Sequence, residues 1–193
     1  MASAGDTPTA LSGHHGLTVR MLLVRHGHAG TKEGWAEDDR LRPLDARGRR
    51  QAKHLVGVIV PMNPTRLISS PYLRCLQTME PSAEKSGLVV EEDVSLIPNG
   101  GTRAIDLIRA LSADTSDMSS SHPSTIDRPA SPDPSSRIVV CTHGEVIGDV
   151  LAVVAREDDI RLSRRPPGLK GCVWVLDFEK GKVVSARYIS PGR

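Results

Sequence analysis

The sequence predicts an α/β fold, a three-layer sandwich with a mainly parallel central sheet. Short apolar runs alternate along the chain with segments of helical periodicity, which is typical of a parallel sheet covered by helices on both faces. At 193 residues the chain is long enough for one domain with a substantial core. We expect a disordered tail at 1–18, a single domain at 19–190 and a flexible insertion within it at about 112–136.

The first half of the domain is predicted to contain three strands and three helices. Asp45 is a favourable N-cap for the first helix, and Pro61 is expected to end it. Pro71 suits the first turn of the second helix, which should end before Gly87, and Thr102 caps the third. The predicted strands are 19–25, 66–69 and 88–90, and the predicted helices are 46–60, 71–86 and 103–111.

The first helix is expected to turn one apolar face to the core and the rest of its surface to solvent. The apolar positions, which recur at helical spacing, are Ala52, Leu55, Val56 and Ile59. The positions expected to face mostly solvent are 47–50, Gln51 and Lys53.

The second half begins with a change in composition. Residues 112–136 are dominated by Ser, Pro, Asp and Thr, so this segment cannot bury enough apolar surface to order itself. Beyond it we predict a strand at 137–142 and a helix at 145–154. Strands 173–178 and 183–188 should then pair around Lys180-Gly181.

Three short motifs stand where predicted strands end or helices begin. The first is Arg25-His26-Gly27, directly after the apolar run 21–24. The second is the segment 69–78, which places Arg74 at the start of a helix, and the third is His143-Gly144, after a second apolar strand. The carboxyl ends of strands in an open α/β sheet are where ligand-facing groups lie.

These residue types suit covalent phosphoryl transfer. An arginine is a permanent planar cation that binds two phosphate oxygens at once. A histidine is a nitrogen nucleophile that is largely neutral near pH 7. A glycine lets the backbone turn sharply and approach a ligand closely.

Taken in order, the three motifs resemble those of the histidine phosphatase superfamily, branch 1, whose members share a phosphoglycerate mutase-like fold. The resemblance spans about 19–189. Residues 42–52 resemble SixA-type phosphohistidine phosphatases. Residues 74–81 and 170–176 resemble the C-terminal phosphatase domain of actinobacterial MutT-type Nudix hydrolases, although the chain has no Nudix box.

The resemblance implies a metal-independent phosphatase without a cofactor. It would hydrolyse a phosphoester, phosphoanhydride or phosphohistidine through a phosphohistidine on His26. Arg25, Arg74, His143 and Gly144 would complete the phosphate pocket. We expect the second ring nitrogen of His26 to donate to a backbone carbonyl, and nearby cations to keep the attacking nitrogen unprotonated. His143 is expected to donate to the same phosphoryl group.

One departure from the family pattern bears on the substrate. Phosphoglycerate mutase-like members carry a Glu or Asp after the third strand, whereas residues 95–101 contain no carboxylate. Glu91, Glu92 and Asp93 lie slightly earlier, and whether Asp93 reaches the pocket is left open. A missing acid disfavours mutase activity and favours good leaving groups, such as a nucleotide diphosphate or an imidazole.

Candidate rim residues are His28 and Lys170. Arg164, Arg165 and Lys170 lie on a connection rich in Pro and Gly, where cations would meet a second phosphate of a nucleotide. A solvated basic loop is the alternative interpretation.

Composition limits the expected partners and location. A net charge of +2 and an aromatic content of 3% give no indication of nucleic-acid or membrane binding. The tail lacks the pattern of a signal peptide, and no apolar run is long enough for a transmembrane helix. Cys75, Cys141 and Cys172 are expected to be reduced, mostly buried thiols of a cytoplasmic protein. The expected partner is a phosphorylated small molecule, a nucleotide or a phosphohistidine protein.

Two other classes of function remain open at this point. A metal-dependent hydrolase would use His26, His28 and His143 as ligands, but no acidic cluster accompanies them and Arg25 would repel a cation, so we expect no metal site. A non-catalytic module that binds a phospholigand or a partner would keep the arginines without needing the nucleophile.

Overall fold

A computed structural model describes residues 18–113 and 136–191. The predicted insertion and tail therefore lie almost entirely outside the described residues. The strands are β1 (Thr18–Arg25), β2 (Arg66–Ser69), β3 (Val90–Glu92), β4 (Arg137–Thr142), β5 (Val173–Glu179) and β6 (Lys182–Ile189). The helices are α1 (Ala46–Ile59), α2 (Leu73–Ser86), α3 (Thr102–Ala113) and α4 (Gly144–Glu157), with short 3₁₀ turns at Asp39–Leu41, Val60–Met62 and Val94–Leu96.

The six strands form one sheet in the order β3-β2-β4-β1-β5-β6. The strands β3, β2, β4 and β1 are parallel, whereas β5 and β6 run antiparallel at one edge. The predicted α/β class, the mainly parallel sheet and the terminal hairpin are thus confirmed.

The helices cover both faces of the sheet, as predicted for a three-layer sandwich. Successive residues of β1 point to opposite faces because side chains alternate along a strand. Leu22 and Val24 belong to the core under α1 and α2, whereas Met21 and Leu23 belong to the core under α3 and α4. No helix in the described part of the chain is both long and apolar enough to cross a membrane.

Several predicted boundaries need correction. The second helix begins at Leu73 rather than Pro71, because the Ser70 N–H still bonds to Cys141 in the sheet and Tyr72 is the extended N-cap. The third strand is 90–92 rather than 88–90. Gly87 ends α2 with a left-handed φ of 67°, and the Leu88 N–H bonds back to Ala83, so the chain enters the sheet only at Val90.

Three helices also differ in length from the prediction. The first ends at Ile59, and Pro61 lies in the 3₁₀ turn that follows it. The third continues through Ala113, where the Ser112 hydroxyl donates to the Arg109 carbonyl. The fourth begins one residue earlier and continues to Glu157.

The predicted solvent face of α1 is partly wrong. Gly48 and Gln51 are buried, and Val56 is only half-buried. The loop after β1 passes directly over this face: a Cβ on Gly48 would stand 1.9 Å from the His28 carbonyl oxygen. The side chain of Gln51 accepts from the His28 N–H and donates to the Lys170 carbonyl. These backbone partners are distant in the sequence, so the helical periodicity of α1 does not predict that this polar residue is buried.

Candidate active site

The two motif histidines meet because β1 and β4 are adjacent, parallel and in register. Arg25 pairs with Thr142, and the His26 N–H bonds to the Thr142 carbonyl at 3.0 Å. The chain leaves both strands at the same edge, so the rings of His26 and His143 approach to 5.2 Å between centroids. Both histidines are buried, with 6% and 1% of their surface exposed.

His26 is held in one orientation by backbone contacts. Its Nδ1 lies 2.7 Å from the Gly27 carbonyl oxygen, which can only accept, so Nδ1 carries the proton and Nε2 the lone pair. The expected backbone hydrogen bond is therefore present. The Gly27 N–H donates to the Thr78 hydroxyl at 3.0 Å, which ties this turn to α2.

The surroundings of His26 keep its ring neutral. Burial lowers the pKa of His26 well below 6.5, and His143, Arg74 and Lys170 lower it further, against the opposing effect of the Gly27 carbonyl. A neutral imidazole with a free Nε2 is the form that can attack an electrophile.

Arg25 is fixed between the loop at Gly168 and the first residue of α4. Its Nη1 donates to the Gly168 carbonyl at 2.6 Å, and its guanidinium packs so closely on Gly144 that a Cβ there would be 2.8 Å away. Its Nε is buried without a protein partner. Since buried N–H groups are nearly always hydrogen-bonded, this donor is suited to an anionic ligand.

Arg74 is 3% exposed and is held by the 3₁₀ turn at Asp39–Leu41. Its Nη1 donates to the Asp39 carbonyl at 2.7 Å, and its Nη2 donates to the Asp39 carboxylate at 3.0 Å. The Tyr72 ring stacks against the guanidinium at 4.6 Å. The Nε of Arg74, like that of Arg25, is buried without a protein partner.

His143 bridges the two sides of the pocket. Its Nε2 lies 3.0 Å from the Ser70 hydroxyl, and its Nδ1 lies 3.4 Å from Nη2 of Arg74. The Tyr72 ring packs edge-on against it at 4.9 Å between centroids. His143 also precedes the first residue of α4, where the helix dipole favours anions.

Asp39 is a pocket residue that the sequence reasoning missed. Its two carboxylate oxygens bind Arg42 at 2.7 Å and Arg74 at 3.0 Å. Partial burial acts to raise its pKa, but Arg42 and Arg74 outweigh that effect and leave the pKa below its usual value. Asp39 is therefore a permanent carboxylate that positions arginines rather than an acid that gives up a proton.

The signal for Thr78 was present in the sequence, whereas the signals for Asp39 and Gln51 were not. Thr78 stands four residues after Arg74, so the two share a helix face. Asp39 lies in an acidic run, Glu37-Asp38-Asp39, that reads as a solvated loop.

The segment that lacks the family acid contributes no carboxylate to these contacts. Asp93 caps its own 3₁₀ turn by accepting from the Ser95 N–H at 2.7 Å, and Glu91 pairs with Arg66 on the edge of the sheet. The third candidate, Glu92, is exposed.

The candidate rim residues have different environments. His28 Nδ1 pairs with the Asp45 carboxylate beside the first turn of α1. Burial lowers the pKa of Lys170, and the charges of Arg25, Arg42 and Arg74 lower it further, so its ammonium lies within the field of the pocket. In contrast, Arg164 is exposed and lies 5.0 Å from the Tyr188 ring, and Arg165 is exposed.

Among the residues that the structure describes, no three His, Cys, Asp or Glu side chains form a group that could hold a metal ion. His26, His28 and His143 therefore do not constitute a ligand set. The three cysteines, Cys75, Cys141 and Cys172, are buried and free.

Comparisons with known proteins agree with this geometry. The model of the histidine phosphatase superfamily (branch 1) matches residues 21–98, which include Arg25, His26 and Arg74. Residues 21–98 of the chain therefore belong to the histidine phosphatase superfamily. A relative from Mycolicibacterium smegmatis, an 8-oxo-(d)GTP phosphatase, is 32% identical over 174 residues, or 90% of this chain. The chain spans about half the length of that relative, 49%.

Two solved structures show the histidine phosphatase fold across nearly the whole chain. The protein histidine phosphatase SixA complexed with tungstate has a TM-score of 0.64 at 19% identity, covering 89% of this chain and 97% of that one. Mycobacterial glucosyl-3-phosphoglycerate phosphatase has a TM-score of 0.64 at 16% identity, covering 91% and 100%. At these identities the likeness concerns the fold alone.

Proposed function

We propose that this histidine phosphatase chain is a metal-independent phosphatase that works through a phosphohistidine on His26. The observation that carries the proposal is the orientation of His26. Its Nδ1 donates a hydrogen bond to the Gly27 carbonyl, which leaves the lone pair on Nε2, and nearby positive charges keep the ring neutral. The substrate's terminal phosphoryl group would lie against Arg25 and Arg74, whose buried Nε atoms have no protein partner. Family membership supports the same chemistry.

The first step forms a bond from His26 Nε2 to phosphorus while the bond to the leaving oxygen breaks. The leaving group takes that electron pair, and His26 keeps its Nδ1 proton on the Gly27 carbonyl. Arg25 and Arg74 neutralise charge on the non-bridging oxygens of the phosphoryl group. The His143 ring, whose Nδ1 lies next to Arg74, provides a further polar group beside these oxygens. In the second step water attacks phosphorus, the bond to Nε2 breaks, and phosphate leaves with the proton lost by water.

We propose a phosphoanhydride of a nucleotide as the substrate. Asp39 stays ionised between two arginines, and the contacts of Asp93 and Glu91 lie elsewhere, so none of these carboxylates is suited to protonate a poor leaving group. A leaving phosphate needs little protonation because its second pKa is about 6. The relative from Mycolicibacterium smegmatis carries a nucleotide in its name, which supports this class.

A phosphohistidine protein is the second candidate. Imidazole is also a good leaving group, and the SixA likeness supports a fold able to present such a pocket. A screen of nucleotides, sugar phosphates and a phosphohistidine protein, read as released phosphate, separates these classes.

The decisive experiment for the mechanism is to trap the covalent intermediate. Wild type and His26→Ala are mixed with γ-labelled nucleotide and quenched rapidly in alkali, and His28→Ala serves as a matched control from the same loop. We expect an alkali-stable, acid-labile phosphoenzyme in wild type and in His28→Ala but not in His26→Ala, together with activity that EDTA leaves unchanged. Full activity in His26→Ala, or loss of activity with EDTA, would contradict the mechanism.

A cytoplasmic location is part of the proposal. Three buried free cysteines are typical of proteins in reducing compartments. Fractionation of cells that express the tagged chain tests it, and recovery outside the cytoplasm would contradict it.

A further inference from the structure

A second concavity, which we call the Trp35 cleft, lies beside the phosphate pocket. It is formed by the loop after β1 and the chain entering α1, and its volume is about 250 Å³. Whole small-molecule sites usually measure about 300–1,000 Å³, so this cleft suits one part of a ligand rather than all of it. The residues that matter here are Gly30, Thr31, Gly34, Trp35, Arg42 and Asp45.

The cleft and the phosphate pocket share a carboxylate. Arg42 lines the cleft, and its Nε bonds to one oxygen of Asp39 at 2.7 Å. The other oxygen of Asp39 bonds to Arg74 in the phosphate pocket at 3.0 Å. One carboxylate therefore links Arg42 in the cleft to Arg74 in the phosphate pocket, so the two sites are adjacent.

The walls of the cleft are held in place. Arg42 is 8% exposed and donates from Nη1 to the Ala29 carbonyl at 2.6 Å. The indole Nε1 of Trp35 donates to the Asp38 carbonyl at 3.0 Å within its own loop. Because that N–H is engaged, what the half-buried ring offers a ligand is its face.

Another wall of the cleft leaves room for a ligand. Gly30 has a left-handed φ of 63°, and a Cβ built there would meet nothing within 4 Å. The Gly30 N–H itself bonds to the Asp45 carboxylate at 3.3 Å. Asp45 and its partner His28 complete the edge. A flat ring with hydrogen-bond donors on its rim would suit this cleft, because its face could pack on the indole and its edge could donate to the remaining lone pairs of the Asp45 carboxylate.

We propose that the Trp35 cleft binds the base of a nucleotide substrate by stacking on Trp35. The inference rests on the proposed function, since it places the phosphate end at His26 and assigns the other end of the same molecule. It makes Trp35 a determinant of specificity rather than a catalytic residue. A second groove of about 450 Å³ along α2 and β3 includes Glu80 and Glu84 in its lining, so it does not suit a phosphorylated ligand.

The test compares a substrate that has a base with one that does not. We measure KM for guanosine triphosphate and for inorganic triphosphate in wild type, Trp35→Ala and Trp35→Phe. Leu41→Ala is the control, because Leu41 is an exposed apolar residue nearby that does not line the cleft. We expect Trp35→Ala to raise KM for the nucleotide about 10-fold and to change KM for triphosphate by less than about 2-fold, since stacking acts only on a base. Trp35→Phe keeps a ring and should remain within about 3-fold of wild type.

Fluorescence provides a readout that does not depend on turnover. The chain has two tryptophans, and the other, Trp174, is 0% exposed. Guanosine monophosphate should therefore quench emission in wild type and leave Trp35→Phe unchanged.

The outcomes separate the two proposals. Equal KM effects on both substrates, or quenching that persists in Trp35→Phe, would overturn the cleft assignment alone. A wild type that hydrolyses p-nitrophenyl phosphate but not the nucleotide would overturn both the cleft assignment and the proposed substrate class, and would leave the His26 mechanism standing. A sugar phosphate whose KM responds to Trp35→Ala as strongly as the nucleotide's would also overturn it. If His26→Ala retained full activity, the proposed mechanism would fail, and the quenching result would still decide the role of the cleft.

Discussion

The phosphate pocket and the Trp35 cleft are adjacent, but they differ in how deeply their side chains are buried and in which residues hold those side chains in place. In the pocket, His26, Arg74 and His143 are at most 6% exposed, and each is hydrogen-bonded to a residue far away in the sequence: Thr142, Asp39 and Ser70 respectively. In the cleft, Trp35 is half-buried and is held by its own loop, and Thr31 and Gly34 are exposed. Burial makes every polar contact of the pocket costly to lose, whereas the cleft can change at little cost to folding.

That contrast suggests how the two regions divide the work. A site that stabilises a transition state must hold its charges rigidly, because small displacements cost rate. A site that chooses among substrates needs only differences in binding, and exposed loops supply them. The predictions below test this division, in order of expected effect.

The largest effect is expected for Arg74. Arg74→Ala should lower kcat/KM at least ~100-fold, about 2.7 kcal/mol, because a charge-assisted contact to the transferred phosphoryl group is lost. Arg74→Lys should recover only part of this, since an ammonium cannot contact Asp39 and phosphate as a planar fork does. Steady-state kinetics with p-nitrophenyl phosphate measures both, and near-wild-type rates in Arg74→Ala would contradict the role.

The next effect concerns the joint between the loop after β1 and α1. Gly48→Ala would place a Cβ 1.9 Å from the His28 carbonyl oxygen, so the loop must move. We expect destabilisation by about 2–3 kcal/mol and a Tm about 4–12 °C lower. Gly57→Ala is the matched control in the same helix, where a Cβ meets nothing within 4 Å. It should stabilise by about 0.5–1 kcal/mol because alanine favours a helix, and equal shifts in both variants would argue against this packing.

A smaller catalytic effect should come from displacing Arg25 without removing it. A Cβ at Gly144 would stand 2.8 Å from the Arg25 guanidinium, so Gly144→Ala should lower kcat/KM about 10–100-fold with little loss of stability. Gly148→Ala lies one turn further along α4 in open space and should leave kinetics unchanged. Kinetics and thermal melts on the pair decide the point. Unchanged kinetics in Gly144→Ala would show that the position of Arg25 matters less than we infer.

Asp39→Asn should have an effect of about 10-fold on kcat. It keeps the shape of the side chain but removes the charge between Arg42 and Arg74, so both arginines lose their alignment. Asp38→Asn is the control, because Asp38 is exposed and its side chain contacts only Arg40 among the described residues. If Asp39 acts by positioning the arginines, the acidic limb of the pH profile of kcat/KM should shift in Asp39→Asn as kcat falls. A fall in thermal stability alone would indicate a purely structural role.

The smallest effect is a shift in pH dependence. The pKa of His26 is lowered well below 6.5 by burial and by its charged neighbours, including Lys170. The acidic limb of kcat/KM should therefore lie below pH 6.5. Lys170→Met removes one of these charges and should move the limb to higher pH, whereas Lys53→Met, on the exposed face of α1, should not. A limb that does not move in Lys170→Met would separate this lysine from the pocket.

The same lowered pKa affects stability in a definite direction. The unfolded chain binds a proton at His26 below about pH 6.5, whereas the folded chain does so only at lower pH. The stabilisation is complete above pH 6.5 and is lost as the pH falls from 6.5 through the folded pKa. Denaturant unfolding at several pH values should show this loss in wild type and less of it in His26→Ala.

The sequence alone predicted the sheet, the order of its elements and the convergence of four candidate side chains, those of Arg25, His26, Arg74 and His143. Apolar runs and helical periodicity are local, so they located β1, β2 and β4 to within one residue and α1, α2 and α4 to within a few residues. Parallel strands end at one edge, so residues that follow β1 and β4 had to meet. Arg25, His26 and His143 could be predicted to converge because they lie at those ends, and Arg74 because it opens the helix that follows the neighbouring strand β2.

Only the tertiary structure decided what the side chains of Asp39 and Gln51 bind. Each belongs to a loop or helix face whose partner lies far away in sequence: Asp39 binds Arg74, and Gln51 binds the Lys170 carbonyl. A polar side chain can be buried when it satisfies the hydrogen bonds of distant backbone or charged groups. The local periodicity of the sequence does not show where those groups lie. For the same reason the phosphate pocket was visible in the sequence, whereas the cleft beside it became visible only once the chain was folded.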